Sequence, residues 1–298
     1  MQISHTVVGM ISIVAAAVLW GTTGTAQALA PIESTPQIIG ALRLLVGGVA
    51  LALVSLMRNG PSLAAMPVWL AVGGGLFVAL YQLCFFWGVA LTGVAVGTMV
   101  GIGSAPVFAG VLDTLFMKRR PSGQWYVATL MALLGCIILL GNSGRIEVHP
   151  LGIGLAAGAG LAYAVYTMFM KKLLPGRPPE SVAAVVFCIG AAALLPFLFT
   201  ADLSWIARPA GLAVVIHLGV LATALSYFLF CRGLEHVQVS TAVTLTLAEP
   251  FTAGLLGVAV LGEQVGGVGW IGLILILSGL IVLALPFGRA TKLSSNQS

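Results

Sequence analysis

The stretch 244-TLTLAEPFTAGLLGVAVLGE-263 is almost wholly apolar, yet Glu249 and Pro250 stand side by side near its centre. Its length matches the roughly 20 residues that an α-helix needs to cross hydrocarbon. In that medium a carboxylate and a helix-breaking residue are both costly. The rest of the chain identifies the medium. Of 298 residues, 59% are hydrophobic and 7% charged, with a mean hydropathy of +1.11, whereas soluble domains carry about 25% charged residues. Apolar runs of similar length recur from end to end, and the 38 glycines suit helices that pack closely in lipid. Such runs are unlike the short alternating segments of a transmembrane β-barrel. The sequence therefore reads as an all-α integral membrane protein.

Proline, glycine and charge divide the chain into ten spans, near 6–30, 34–57, 66–90, 93–117, 122–141, 149–170, 180–200, 209–232, 237–261 and 266–287. The loops are too short for a soluble domain. An even number of spans puts both termini on one side. If that side is the cytoplasm, the inner loops and tail hold Arg58, Lys118, Arg119, Arg120, Lys171, Lys172, Arg177, Arg232, Arg289 and Lys292. Only Arg145 and Arg208 lie outside. This bias follows the positive-inside rule, and it accounts for the net charge of +5 without a nucleic-acid partner. Ala28-Leu29-Ala30 imitates a signal-peptide cleavage site, but residues 1–6 contain no Lys or Arg, so this segment is read as the first span. Cys84, Cys136, Cys188 and Cys231 lie in apolar segments without CxxC spacing and read as free thiols.

The two halves of the chain resemble each other. The segment 94-VAVGT-98 matches 237-VQVST-241, and Ala105-Pro106-Val107-Phe108 matches Ala248, Pro250 and Phe251. Trp125 matches Trp270, Gly135 matches Gly279, and Trp20 and Tyr163 fall at a similar offset. Five spans per half is an odd number, so the second half (145–298) enters the bilayer inverted relative to the first (1–144). The loops agree, since Lys118-Arg119-Arg120 is inside whereas its counterpart around Glu263 is outside and has no basic residue. Inverted repeats are a signature of secondary transporters, which bind substrate near the midplane and rock their halves to alternate access.

Ten spans in two inverted halves, with a late Ala248-Glu249-Pro250 followed by Leu261-Gly262-Glu263, resemble the drug/metabolite transporter superfamily, EamA type. The likeness covers nearly the whole chain, and the earlier copy, Ala105-Pro106 followed by Lys118-Arg119, is degenerate. Within the superfamily the chain looks most like bacterial exporters of amino acids, including aromatic ones, and related metabolites. The resemblance implies export of a small molecule across the bacterial cytoplasmic (inner) membrane, with the lipid bilayer as the other partner. It leaves substrate identity, proton coupling and oligomeric state open.

At about 1.5 Å of rise per residue, Arg43 lies roughly 14 Å into its span, Glu249 roughly 18 Å and His217 roughly 12 Å. All three therefore sit around the middle of a hydrocarbon core about 30 Å thick. Charges there must face a watery cavity, a partner or one another. Arg43 suits a substrate carboxylate through its planar fork. Glu249 suits an ammonium group or a coupling proton; alternatively, Arg43 and Glu249 form a pair that fastens the second and ninth spans. His217 is either a substrate contact or a hydrogen-bonded core residue. Candidate walls of mixed polarity are Trp20, Thr22 and Thr23, then Tyr81 and Gln82, then Tyr163 and Tyr166. Pro250 crowds the carbonyl of Thr246, so a helix bend is expected there, with Thr244 and Thr246 satisfying freed carbonyls. Trp69, Trp87, Trp125, Trp205 and Trp270 lie near span ends and read as interfacial aromatics. Gly93, Gly97 and Gly101 read as a packing stripe.

No HExxH, GxSxG or Walker motif occurs, and nothing in the residues calls for a metal or other cofactor. The reading is a secondary transporter of small metabolites, with neutral or aromatic amino acids as the leading class. A multidrug or sugar-metabolite carrier of the same fold is the alternative within transport. An intramembrane enzyme would need a nucleophile–base or metal constellation, and a channel is at odds with the inverted repeat.

Overall fold

The computed structural model describes residues 4–58, 66–141, 149–264 and 266–285. Arg145, Arg289, Lys292, the boundary between the halves at 144 and 145, and the final residues of the tenth expected span lie outside the described residues. Ten helices carry the fold: α1 (His5–Ala28), α2 (Pro36–Met57), α3 (Val68–Thr92), α4 (Val94–Leu115), α5 (Gly123–Gly141), α6 (Pro150–Leu173), α7 (Pro179–Phe199), α8 (Pro209–Leu234), α9 (Val239–Leu261) and α10 (Gly267–Ala284). Among the described residues all but α5 are at least 18 residues long and apolar enough to cross a membrane, and α5 has a shorter apolar segment. Their ends fall within three residues of the positions expected from sequence. Proline opens α2, α6, α7 and α8, a position where its missing N–H costs nothing. Thr35 and His149 cap the starts of α2 and α6 with side-chain acceptors.

The helices pack as an inverted pair. α3 lies on α6 as α8 lies on α1, α4 lies on α6 as α9 lies on α1, and α2 meets α7 while α5 meets α10. The glycine contacts carry the same symmetry. A Cβ on Gly135 would stand 2.6 Å from the Gly272 carbonyl oxygen, and one on Gly279 would stand 2.6 Å from that of Ala128. Gly279 and Gly272 are the residues 144 positions after Gly135 and Ala128, so the crossing of α5 and α10 maps onto itself. Likewise Gly9 packs on Gly233 in the α1–α8 contact, and Gly152 packs on Gly88 in the α6–α3 contact. Small residues let these backbones approach where lipid provides no hydrophobic drive for association.

Two helices of the second half depart from regular form. Residues His217–Leu225 of α8 are π-helical. α9 is interrupted at Thr246 and Leu247, between the helical segments Val239–Leu245 and Ala248–Leu261. The bend expected at Pro250 is thus a short break placed one turn earlier. α4 runs unbroken through the matching Pro106.

The expected interfacial tryptophans need correction. Trp69, Trp87 and Trp270 are exposed, but Trp125 and Trp205 are buried. Trp125 turns inward to donate Nε1–H to Thr244 Oγ1 at 2.9 Å, and Trp205 packs under Gly211. Of the expected glycine stripe, Gly97 and Gly101 do pack against α3, whereas Gly93 has a φ of 81° and forms the α3–α4 turn.

Enlarging Gly135 tests the crossing. Gly135→Val is expected to destabilise the fold by about 1–3 kcal/mol, the usual cost of overpacking. Gly154→Ala, where a Cβ meets nothing within 4 Å, should melt like the parent in detergent.

A candidate substrate site at the midplane

Arg43 leaves α2 half-buried, and its Nε–H donates to Thr223 Oγ1 at 3.2 Å. Thr223 is fully buried and lies in the π-helical part of α8, where its own hydroxyl donates to the Leu218 carbonyl, five residues back, at 2.8 Å. The hydroxyl is thereby fixed, and it holds the guanidinium by one nitrogen. The terminal nitrogens of Arg43 have no hydrogen bond or ion pair among the described residues.

Glu249 is half-buried in the first turn of the outer segment of α9. That helix start favours negative charge. No hydrogen bond or ion pair to its carboxylate occurs among the described residues, so the fastening pair with Arg43 is not formed. The two charges still lie within electrostatic range of each other, and both act on Tyr81 and Tyr227.

Close to both charges runs a connected set of rings. Tyr81 packs on Tyr163 and Tyr166 with centroids 5.8 and 6.1 Å away. The Tyr166 and Tyr227 hydroxyls share a hydrogen bond of 3.1 Å. Tyr227 then meets Trp20 at 4.7 Å and Phe187 at 4.0 Å. Trp20 Nε1 and Thr23 Oγ1 are buried without a hydrogen-bond partner among the described residues. Tyr163 also donates to Thr246 Oγ1 at 3.2 Å, which ties the ring set to the α9 break.

Thr22 hydroxyl reaches both the Leu19 carbonyl at 2.7 Å and His217 Nε2 at 2.8 Å. With one hydrogen on that hydroxyl, both contacts are satisfied when Nε2 carries its own proton and donates. Gln82 is buried away from this set, with its amide donating to the Gly40 carbonyl at 3.1 Å. Its role is to fasten α3 to α2. Trp20, Arg43, Tyr81, Tyr163, Tyr166 and Glu249 are therefore brought together, Thr22, Thr23 and His217 border them, and Gln82 does not join.

Residues 7–141 and, again, residues 150–285 match the EamA-like transporter family. The chain belongs to that family. The uncharacterized transporter YwfM of Bacillus subtilis is 44% identical over 287 residues, covering 95% of this chain and 96% of that one. The threonine/homoserine exporter RhtA of Salmonella typhimurium is 32% identical over 203 residues, 65% of each chain. A solved crystal structure superposes with a TM-score of 0.79 at 25% identity, over 96% of this chain and 99% of that one.

As an EamA-like transporter the chain is a multi-pass membrane protein, and its packing differs between the two sides of the midplane. On the side of the termini, α9 is buried almost all round from Val239 to Ala248. The buried Asp113 carboxylate of α4 accepts from the Ser240 backbone N–H at 2.7 Å and so caps α9 from across the repeat. On the same side, the buried hydroxyls of Ser55 and Ser181 share a 2.7 Å bond, and Arg58 pairs with Glu180 at 3.0 Å. On the other side, α9 from Phe251 to Leu256 is at least partly exposed.

Sequence reading had not singled out Tyr227, Thr223 or Asp113. Asp113 carried the clearest signal, since an acid within an apolar span needs a partner. Removing the Tyr227 hydroxyl leaves that of Tyr166 without its partner, so Tyr227→Phe is expected to cost about 1 kcal/mol. Thermal melting in detergent checks this, with exposed Tyr126→Phe as an unaffected control.

Proposed function

We propose that this EamA-like transporter exports neutral or aromatic amino acids across the cytoplasmic membrane by alternating access, with the ring set at its centre as the binding site. One observation carries the reading. Among the described residues, a guanidinium with free terminal nitrogens and a carboxylate with no partner stand near one aromatic cluster at depth in their helices. Each charge is costly there while unpaired, and a zwitterion relieves both. Its carboxylate takes the fork of Arg43, its ammonium takes Glu249, and its side chain lies among Trp20, Tyr81, Tyr163, Tyr166 and Tyr227. The similarity to RhtA, named a threonine/homoserine exporter, favours the same class. A sugar phosphate would call for more cations at this depth than Arg43 alone.

In this reading the structure represents the state closed toward the cytoplasm. Asp113–Ser240 and the buried inner segment of α9 form the closure, and export ends with release on the opposite side. Glu249 binds the ammonium group or exchanges it for a proton on the return step.

Counterflow in proteoliposomes tests the proposal, with unlabelled amino acids inside and labelled neutral ones outside. Saturable exchange is expected for neutral and aromatic species. Arg43→Ala should abolish it while leaving the protein folded in detergent. Thr223→Val, which removes the hydroxyl that aims Arg43, should raise the half-saturation about tenfold, the equivalent of one charge-assisted hydrogen bond. Thr223→Ser should restore it. Glu249→Gln separates the two roles of the carboxylate. Loss of exchange assigns ammonium binding, whereas retained exchange without a response to a pH gradient assigns proton carriage. No exchange of any amino acid by folded protein would overturn the proposal and turn the search to drugs or sugar metabolites.

A further inference from the structure

A groove in the surface of the bundle lies outside the ring set. It has a volume of about 460 Å³ and opens between α4 and α5, with walls from Val107, Val111, Leu115 and Leu130 and a floor from Gly110 and Trp125. Each of the four wall residues is at least 48% exposed, so the groove faces the surroundings of the bundle, which for this protein is lipid.

Apart from the exposed Tyr126 hydroxyl, the side-chain polar groups of its lining are already engaged. Thr114 hydroxyl donates to the Gly110 carbonyl at 2.9 Å, Trp125 Nε1–H donates to Thr244, and the Thr129 and Thr244 hydroxyls meet at 3.1 Å. What remains for an occupant is largely hydrocarbon surface, with the Tyr126 hydroxyl beside it. A polar metabolite would leave its hydrogen-bonding groups unmatched there.

The groove ends at the loop joining α4 to α5, and that loop carries Lys118, Arg119 and Arg120, all exposed. None of the three side chains has a hydrogen bond or ion pair among the described residues. Their placement is fixed by an ordered helix end. Lys118 adopts a φ of 52°, Met117 N–H donates to the Leu112 carbonyl and Arg119 N–H to that of Asp113, so the chain leaves α4 through a hydrogen-bonded left-handed turn. An apolar slot of acyl-chain character thus leads to three cations, unpaired among the described residues, at the cytoplasmic surface, where anionic headgroups lie.

We propose that the α4–α5 groove is a binding site for an anionic phospholipid, with one acyl chain in the slot and the phosphate on Lys118, Arg119 and Arg120. The floor gives the site a route to transport. Trp125 and Thr129 hold Thr244, two residues before the α9 break, so a lipid seated against them braces that break.

Native mass spectrometry of the full chain in mild detergent tests the site. The probes are phosphatidylglycerol and phosphatidylcholine with identical acyl chains. One phosphatidylglycerol should be retained at least tenfold more strongly than phosphatidylcholine. Replacing the three cations together with Gln should weaken its binding about a hundredfold. Val111→Trp, which fills the slot and keeps every charge, should abolish retention. Arg232→Gln, an exposed cation on α8 away from the groove, should change nothing. Melting curves show that each variant is folded, and if the tryptophan variant fails to fold, the triple glutamine variant decides. Equal retention of the two lipids would overturn the proposal. So would unchanged phosphatidylglycerol binding in the folded variants, or a lipid-free dimer that Val111→Trp converts to monomer, which would assign the groove to a second copy.

Discussion

A break in a helix within hydrocarbon persists only where protein groups replace the lost backbone ladder, and the break at Thr246 and Leu247 of α9 shows how this is done. Pro250 has no N–H for the Thr246 carbonyl, which takes that of Glu249 instead at 2.9 Å. Leu247 N–H turns to the Thr244 carbonyl at 3.1 Å, which withdraws it from Val243. The Thr246 hydroxyl then donates to Val243 at 2.7 Å. From outside the helix, Trp125 and Thr129 engage Thr244, and Tyr163 engages Thr246. The break is therefore a joint held by hydrogen bonds from its own residues and from α5 and α6. It places Glu249 at a new helix start, so the costly carboxylate gains the favourable end of a helix dipole.

The two halves show why one copy breaks and the other does not. Pro106 of α4 is the counterpart of Pro250, at an offset of 144. The residues matching Thr244 and Thr246 are Val100 and Ile102, which have no hydroxyl with which to satisfy a freed carbonyl. α4 accordingly stays continuous. The same contrast holds between α8 and α3. Thr223 supports the π-helical Leu218 carbonyl, and its counterpart in the regular helix α3 is Ala79. In both cases, a buried hydroxyl is present where the backbone departs from α-helical form and absent where it does not.

The features legible from sequence were those that hydrocarbon makes conspicuous. Span positions follow from apolar length, the inverted repeat from an odd number of spans per half, and Arg43, His217 and Glu249 from being ionisable at depth. Residues whose importance depends on an irregular backbone were hidden, because threonine is common in membrane helices and Thr223 differs from its neighbours only through the π-helix. Asp113 lies close enough to a span end to pass as interfacial, but the fold buries it as the cap of α9. Trp125 and Trp205 have the same distance from span ends as true interfacial tryptophans, and only tertiary packing turns them inward. Gln82 adjoins Tyr81 in sequence, yet successive residues on a helix point about 100° apart, so its amide faces α2 and its neighbour faces the rings.

These constraints assign different work to the halves. The first half contributes Trp20, Arg43 and Tyr81 from regular helices. The second contributes Thr223 and Glu249 from the two irregular segments, which lie next to the charges that matter. Winding the π-helical turn back to α-helical form would rotate Thr223 by about one residue step, roughly 100°, and carry its hydroxyl away from Arg43. Straightening α9 would remove the helix start beneath Glu249. Either change alters how strongly a charge at the midplane is held, with no residue entering or leaving the site. A carrier that rocks between two states needs its binding groups to respond to the backbone in this way. A ligand can drive such a change only by interacting differently with the two states, and in the proposed site Arg43 and Glu249 both adjoin a segment that departs from regular helix.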